Sequence, residues 1–424
     1  MTRATRKAPG ARALLSIAVA SVLFVTAACG GGNADPTDPG TSADPGTSAE
    51  GGLADMEPIV LKAATIAAAE AYNGKTFEAY LAYIEEETDG KVTFERYFSG
   101  SLLSGPDSLE GVSAGVADIS QISPTFFPQE LPIFTWILQV ASLTEEAHPL
   151  RKFQLTGAMS EFLMNNEESV QEYHDQGVKM MLPSLITTDG YLCTSQVDTL
   201  DAARGKVTRV GGSPWDHEVE ALGMSPSFTP VLEIYEALQR GIVNCVTSIP
   251  LLSWNDLSLL EVAEHVTFAA TNPTGGGHII NLDTWNGLPL EVQQVFWDAQ
   301  TMYIEADVVE TLASYVSAGA TLNEIGTQVH DPAAINSELR AFQEGAVAEM
   351  INTAPASVSD PEATIAELRG YLEDWRDFSV GELGLSDAPQ AGSARLEAFN
   401  DQASDAVAPF VERIKERVFD PSRP

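Results

Sequence analysis

The chain has 424 residues, with 23 Lys and Arg against 60 Asp and Glu and a formal net charge of −37. So acidic a chain is a poor match for nucleic acid, whose phosphates call for a basic surface. With 44% hydrophobic and 20% charged residues it is too apolar to be disordered and too polar to span a membrane many times, so it should bury a core, in two or three domains at roughly 150 residues each.

Residues 1–28 read as an export signal, because Arg3, Arg6, Lys7 and Arg12 precede an uncharged run over 13–28 that is short for a membrane span. The run ends in TAACG at 26–30, where small residues before a cysteine resemble a bacterial lipobox. Cys29 is therefore the expected lipidation site, and acylation there would anchor the chain to a membrane. A plain signal peptide cleaved near a cysteine is the other reading. The stretch 30–52 mixes Gly, Pro, Ser, Thr and Asp and is too polar to pack, so residues 29–56 are expected to be a flexible tether.

The body alternates two periodicities. A strand over 59–66 is followed by a helix in which Phe77, Tyr80, Leu81 and Ile84 share one face, then by a strand over 91–98, a short helix over 107–114 and a strand over 117–123 that runs into a Pro-rich loop. Such βαβαβ alternation predicts an α/β fold with a mainly parallel sheet. The pattern returns with a helix over 159–176, strands over 178–183 and 206–210, helices over 214–222 and 232–240 and a strand over 242–248, which suggests two sheets. Gly275, Gly276 and Gly277 read as a turn before a strand that starts at His278. From Pro289 to about Ser317 neither glycine nor proline interrupts the apolar stripe Val292, Val295, Phe296, Ala299 and Tyr303, which predicts one long helix that braces two lobes. Helical pattern resumes over 365–378 and 395–418, with a polar break over 381–392.

Six segments then occur in a distinctive order. They are residues 90–103 (GKVTFERYFSGSLL), 109–118 (LEGVSAGVAD), 124–132, 205–210 (GKVTRV), 221–224 (ALGM) and 236–243 (EALQRGIV). In order and spacing they resemble the solute-binding proteins of TRAP transporters, the dicarboxylate-binding-protein-like (DctP) family, over roughly residues 57–330. The resemblance implies a two-lobed, periplasmic-binding-protein-like clamshell with discontinuous lobes. Lobe I would hold residues 57–188 and 275–318, lobe II residues 189–274 and 319–360, and residues 361–424 would form a helical extension. It also implies partnership with the membrane subunits of an ion-driven carrier and a site outside the cytoplasm. A binding protein that presents its ligand to a membrane sensor is the alternative; a lipid-anchored hydrolase is a third reading.

In the family, the arginine of the segment corresponding to GKVTRV pairs with a ligand carboxylate, and Arg209 holds that place. The chemistry suits the role, because a guanidinium stays charged and offers a planar fork to two carboxylate oxygens. Open α/β sheets place ligands at strand ends and the loops beyond them. By that rule the other ligand-binding candidates are Tyr72, Ser123, Phe126, Thr188, Asp189, Ser213, Trp215 and Ser248. Two departures from the family pattern matter. Residues 189–195 (DGYLCTS) lack the second arginine that many relatives carry, and 244–250 reads NCVTSIP. A small organic anion with one carboxylate and an apolar or hydroxylated remainder fits a single arginine better than a C4-dicarboxylate.

Both departures introduce a cysteine. With Cys29 acylated, Cys193 and Cys245 form an even pair in an oxidising compartment, both in lobe II by the resemblance, so a disulfide is expected; two separately buried thiols are the other reading. No HExxH, P-loop or GxGxxG motif occurs. No enzymatic activity, metal or cofactor is expected; His278 or His217 could line the cleft, but each reads rather as structural or exposed.

Overall fold

The computed structural model describes Leu53 and residues 56–424. The expectations for residues 1–28, for Cys29 and for the polar stretch 30–52 lie outside the described residues. Among the described residues eleven strands make two sheets. The first contains β1 (Ile59–Ala64), β2 (Val92–Tyr97), β3 (Ile119–Ile122) and β4 (Val178–Ile186). The second contains β5 (Tyr191–Cys193), β6 (Val207–Val210), β7 (Ser225–Phe228), β8 (Cys245–Val246) and β9 (His265–Thr267). The chain then returns to the first sheet as β10 (Thr274–Asn281) and enters the second again as β11 (Gln328–His330). The orders are β2-β1-β3-β10-β4 and β11-β9-β5-β8-β6-β7.

The architecture is a two-lobed α/β clamshell in which each sheet draws on separate parts of the chain. The sheets are mixed rather than mainly parallel. β1, β2 and β3 are parallel, but β10 runs antiparallel to both β3 and β4, and β5 is antiparallel to β8 and β9. Each antiparallel strand lies next to a place where the chain changes sheet, so it arrives from the opposite end.

The glycine triplet belongs to β10 rather than to a turn. A Cβ on Gly275, Gly276 or Gly277 would stand 2.2–2.3 Å from a carbonyl oxygen of a flanking strand, and Gly275 and Gly277 have φ of 139° and 155°. Only glycine allows β3 and β4 to close on this strand.

In the second sheet side chains alternate between two apolar clusters. Tyr191 and Cys193 join the larger one, which also fills the first lobe, while Leu192 joins a smaller one with Val246, Trp254 and Val266. Cys193 and Cys245 face each other across β5 and β8 and form a disulfide. Closing a loop with a sequence separation of 52 stabilises by roughly 4 kcal/mol in the chain-entropy picture.

The long helix runs Leu290–Ile325, 36 residues and about 54 Å, and ends at Gly326 in the left-handed region. It outlasts the expected stop near 317 because its apolar stripe changes cluster instead of ending. Phe296, Ile304 and Leu312 pack in the larger cluster, Tyr315, Ala318 and Leu322 in the smaller, so one rod braces both lobes. The helix expected over 159–176 is two helices, Leu150–Asn165 and Glu167–Asp175, because Asn166 leaves the helical conformation and caps the second by accepting from Ser169 N. The strand expected over 242–248 shortens to β8, and the helical pattern over 395–418 forms two helices, Ser393–Ala398 and Ser404–Ile414, with a final π turn.

The C-terminal extension touches both clusters. Pro361–Gly381 lies on Leu150–Asn165, where Gly157 leaves room for the Trp375 ring, and Leu396 and Phe399 enter the smaller cluster beside Tyr315 and Phe268. No helix among the described residues is long and apolar enough to cross a membrane.

Candidate functional site

A cavity of about 380 Å³ opens between the two sheets. One wall comes from the first lobe: Tyr72 and Asn73 at the start of the first helix, Gln121 and Ser123 at the end of β3, and the glycines and His278 of β10. The other wall comes from the second lobe, with Arg209 on β6, Trp215 and the turn around Ser248.

Arg209 is held by its strand neighbours. β6 lies between β7 and β8, with Arg209 opposite Ser227 and Val246, and only 2% of the residue is exposed. Its Nε donates to the Thr229 carbonyl at 3.0 Å and its Nη1 to Ser248 Oγ at 3.1 Å and the Thr247 carbonyl at 3.3 Å. Among the described residues no carboxylate pairs with it, and Nη2 donates to no protein acceptor. Burial lowers its pKa to about 10, so the guanidinium stays charged at neutral pH.

Ser248 fixes that guanidinium. It sits at φ 57°, a conformation that costs a serine roughly 1–2 kcal/mol. In return its Oγ reaches both Arg209 Nη1 and the amide of Gly211, which donates to it at 2.7 Å. Trp215 is buried and donates from its indole to the Asn272 carbonyl at 2.9 Å, which ties the arginine's wall to the segment that leads into β10.

Of the residues singled out from sequence, Arg209, Tyr72, Ser123, Phe126, Trp215 and Ser248 line the cavity. Thr188, Asp189 and Ser213 do not. Thr188 and Asp189 follow a strand end, but they belong to the segment that passes from β4 to β5, and their side chains hold it. The Thr188 hydroxyl meets Thr271 Oγ1 at 2.5 Å and the Asn272 carbonyl, on the parallel passage back. Asp189 accepts from Tyr315 Oη at 2.9 Å and pairs with Arg395 at 3.3 Å. Ser213, half-buried, precedes the cis peptide to Pro214 and turns the chain away before Trp215 re-enters the lining.

Sequence reasoning missed Gln121, Asp256 and Tyr303 and set His278 aside as structural or exposed; all four are in the lining. His278 is not exposed; it is 1% accessible and stacks on Phe77 at 4.1 Å between centroids. Its only local signal was the glycine triplet before it. Asp256 is the one acid in the lining, and burial raises its pKa. His217, by contrast, is exposed. No cluster of three or more potential metal ligands occurs among the described residues.

Residues 63–352 match the family model for bacterial extracellular solute-binding protein, family 7 (DctP). The C4-dicarboxylate-binding periplasmic protein DctP of Rhodobacter capsulatus is 25% identical over 247 residues, which is 56% of this chain and 69% of that protein. A marine metagenome TRAP solute-binding protein, solved with co-purified pyroglutamate, superposes with a TM-score of 0.64 at 16% identity, over 74% of this chain and 100% of its own. A TRAP periplasmic solute-binding protein from Desulfovibrio salexigens, solved with orotic acid, gives 0.61 at 17% identity, over 75% and 98%. The matched region holds both sheets except the first four residues of β1 and includes every residue of the cavity, and the chain belongs to the DctP family of TRAP solute-binding proteins.

Proposed function

We propose that this chain is a lipid-anchored, extracytoplasmic receptor that closes its lobes over a small organic carboxylate and delivers it to the membrane subunits of a TRAP-type carrier. The observation that carries the reading is Arg209, a buried cation facing a cavity with no acid among the described residues paired to it. Burying an ion costs several kcal/mol, and backbone carbonyls recover only part of that. A ligand carboxylate reaching the free Nη2 would complete the compensation, and lobe closure would strengthen the contact by removing water. The acids bound by the similar proteins, pyroglutamate, orotic acid and galacturonate, each carry a carboxyl group, which supports the same chemistry.

In this reading residues 57–188 with 275–318 form lobe I, 189–274 with 319–360 form lobe II, and the paired passages through Thr188 and Thr271 act as the hinge. Residues 1–28 direct export, Cys29 carries the lipid, and the stretch to residue 56 is the tether. The protein's own acidity does not prevent anion capture, because exposed charges are screened beyond about 8–10 Å at ordinary ionic strength.

A thermal-shift screen over mono- and dicarboxylates tests the reading. At a hundredfold excess over Kd a ligand adds about 2.7 kcal/mol, enough to move the melting temperature by a few degrees. The shift should vanish in Arg209→Ala. A ligand that stabilises both proteins equally removes Arg209 from the site.

A further inference from the structure

At the first-lobe end of the cavity three buried polar atoms have no hydrogen-bond partner among the described residues. They are Nδ1 and Nε2 of His278 and Oη of Tyr303. Each of the two residues is 1% exposed, and their rings meet edge to face at 5.8 Å. Thr76 and Ser184 are the hydroxyls nearest Tyr303 and donate elsewhere, to the Asn73 carbonyl at 3.1 Å and to Asp307 at 3.2 Å, but each keeps lone pairs open to the Tyr303 hydroxyl, so the two His278 nitrogens carry the argument. Buried polar atoms are nearly always satisfied, so several left open on one cavity wall point to a group that the protein itself does not supply.

The surroundings restrict what that group can be. Asp256 lines the same cavity, and Asp307 lies behind Ser184 with its charge matched by Lys152 at 2.6 Å. No basic side chain from this lobe enters the lining, so a second carboxylate would meet acids and no cation. Burial holds the pKa of His278 near 3, so its imidazole is neutral and offers one donor and one acceptor. Sandwiched on Phe77, the ring is fixed in orientation.

We propose that His278 and Tyr303 read an uncharged hydrogen-bonding group of the solute, so that the ligand is a monocarboxylate that also bears a lactam, amide or hydroxyl group, and not a dicarboxylate. Arg209 holds the carboxylate and the β10 wall selects the remainder; the inference therefore rests on the reading of Arg209 given above.

Calorimetric titration of the full chain with matched pairs of acids tests it: succinamate against succinate, pyroglutamate against cyclopentanecarboxylate, and 3-hydroxybutyrate against butyrate. In at least one pair the member with the neutral polar group should bind ten or more times tighter, and succinate should not be the best ligand. His278→Phe should bring the two affinities of that pair to within about twofold. Tyr303→Phe, which removes a single oxygen, should narrow the ratio in the same direction and serves if His278→Phe does not fold by circular dichroism. Arg209→Ala should instead weaken both members together. Preference for succinate, or a ratio that survives both ring variants, overturns the inference while leaving Arg209 in place. Absence of binding by any of the acids overturns it together with the carboxylate reading.

Discussion

Lys152 and Arg209 are equally hidden, each 2% exposed, but the protein treats the two cations differently. Lys152 lies in the core behind the first sheet, where Asp307 reaches it at 2.6 Å and the Leu185 carbonyl at 2.9 Å. Arg395, at the passage between lobes, likewise has Asp189. Arg209 has carbonyls and a serine hydroxyl and no acid. Arg151 is a further buried cation without an acid, bonded to Thr144 Oγ1 and the Thr271 carbonyl, so an unpaired cation is not by itself the mark of a ligand site. What sets Arg209 apart is that it lines the cavity between the sheets, which is why a ligand carboxylate is proposed as its partner.

The comparison breaks most visibly at Asp307. Asp307→Ala leaves Lys152 buried and unpaired, and should cost about 3–5 kcal/mol of unfolding free energy in denaturant titration. Arg209→Leu removes a cation that had no partner, so no charge is left stranded. It should lower stability by no more than about 2 kcal/mol, the loss of its hydrogen bonds to carbonyls, while eliminating acid binding. Equal losses for the two variants would end the distinction between them.

Arg395 stands between these cases. It ties the C-terminal extension to Asp189, and Phe399 packs beside it against Tyr315 and His148 at 4.9 and 5.1 Å. Arg395→Leu strips Asp189 of its cation but leaves the Tyr315 hydroxyl at 2.9 Å, so the cost should be about 2–3 kcal/mol, below that of Asp307→Ala. Differential scanning calorimetry of the two variants side by side checks the order.

What could be seen in the sequence divides along similar lines. The strand–helix alternation over the first hundred residues of the body was legible because each element is long enough to show its period. The helix around Phe77 and Ile84 and the strand at Val92 formed as patterned. β5, β9 and β11 have three residues each, too few for any period, and exist through their neighbours. The even cysteine pair was legible and is bonded. Arg209 stood out through its motif, whereas His278 did not, since a histidine in an apolar run carries no sign of whether its nitrogens are satisfied. Thr188 and Asp189 show the opposite failure. Their position after a strand matched the rule for ligand sites, but the passage between lobes needed their side chains first.

Glu218 sharpens the comparison from the acid side. It is fully buried with no cation in direct contact, and accepts from Asn272 N and Nδ2 and from Gln343 Nε2. Burial raises its pKa to about 7 in spite of those bonds. A carboxyl group can escape an unpaired burial by taking up a proton near neutrality, which a guanidinium at about 10 cannot do by losing one. Because the folded value lies above the ordinary carboxyl value of 4.5, the native state binds the proton more tightly than the unfolded chain between those limits. Stability from this group is therefore fully present below pH 4.5 and falls as pH rises toward 7, by at most about 1.4 kcal/mol for each unit. Urea unfolding at pH 5 and at pH 7 should show a smaller fall in Glu218→Gln than in the parent chain. An identical pH dependence in the two would mean that Glu218 is ionised throughout, and that its three donors suffice where Arg209's acceptors do not.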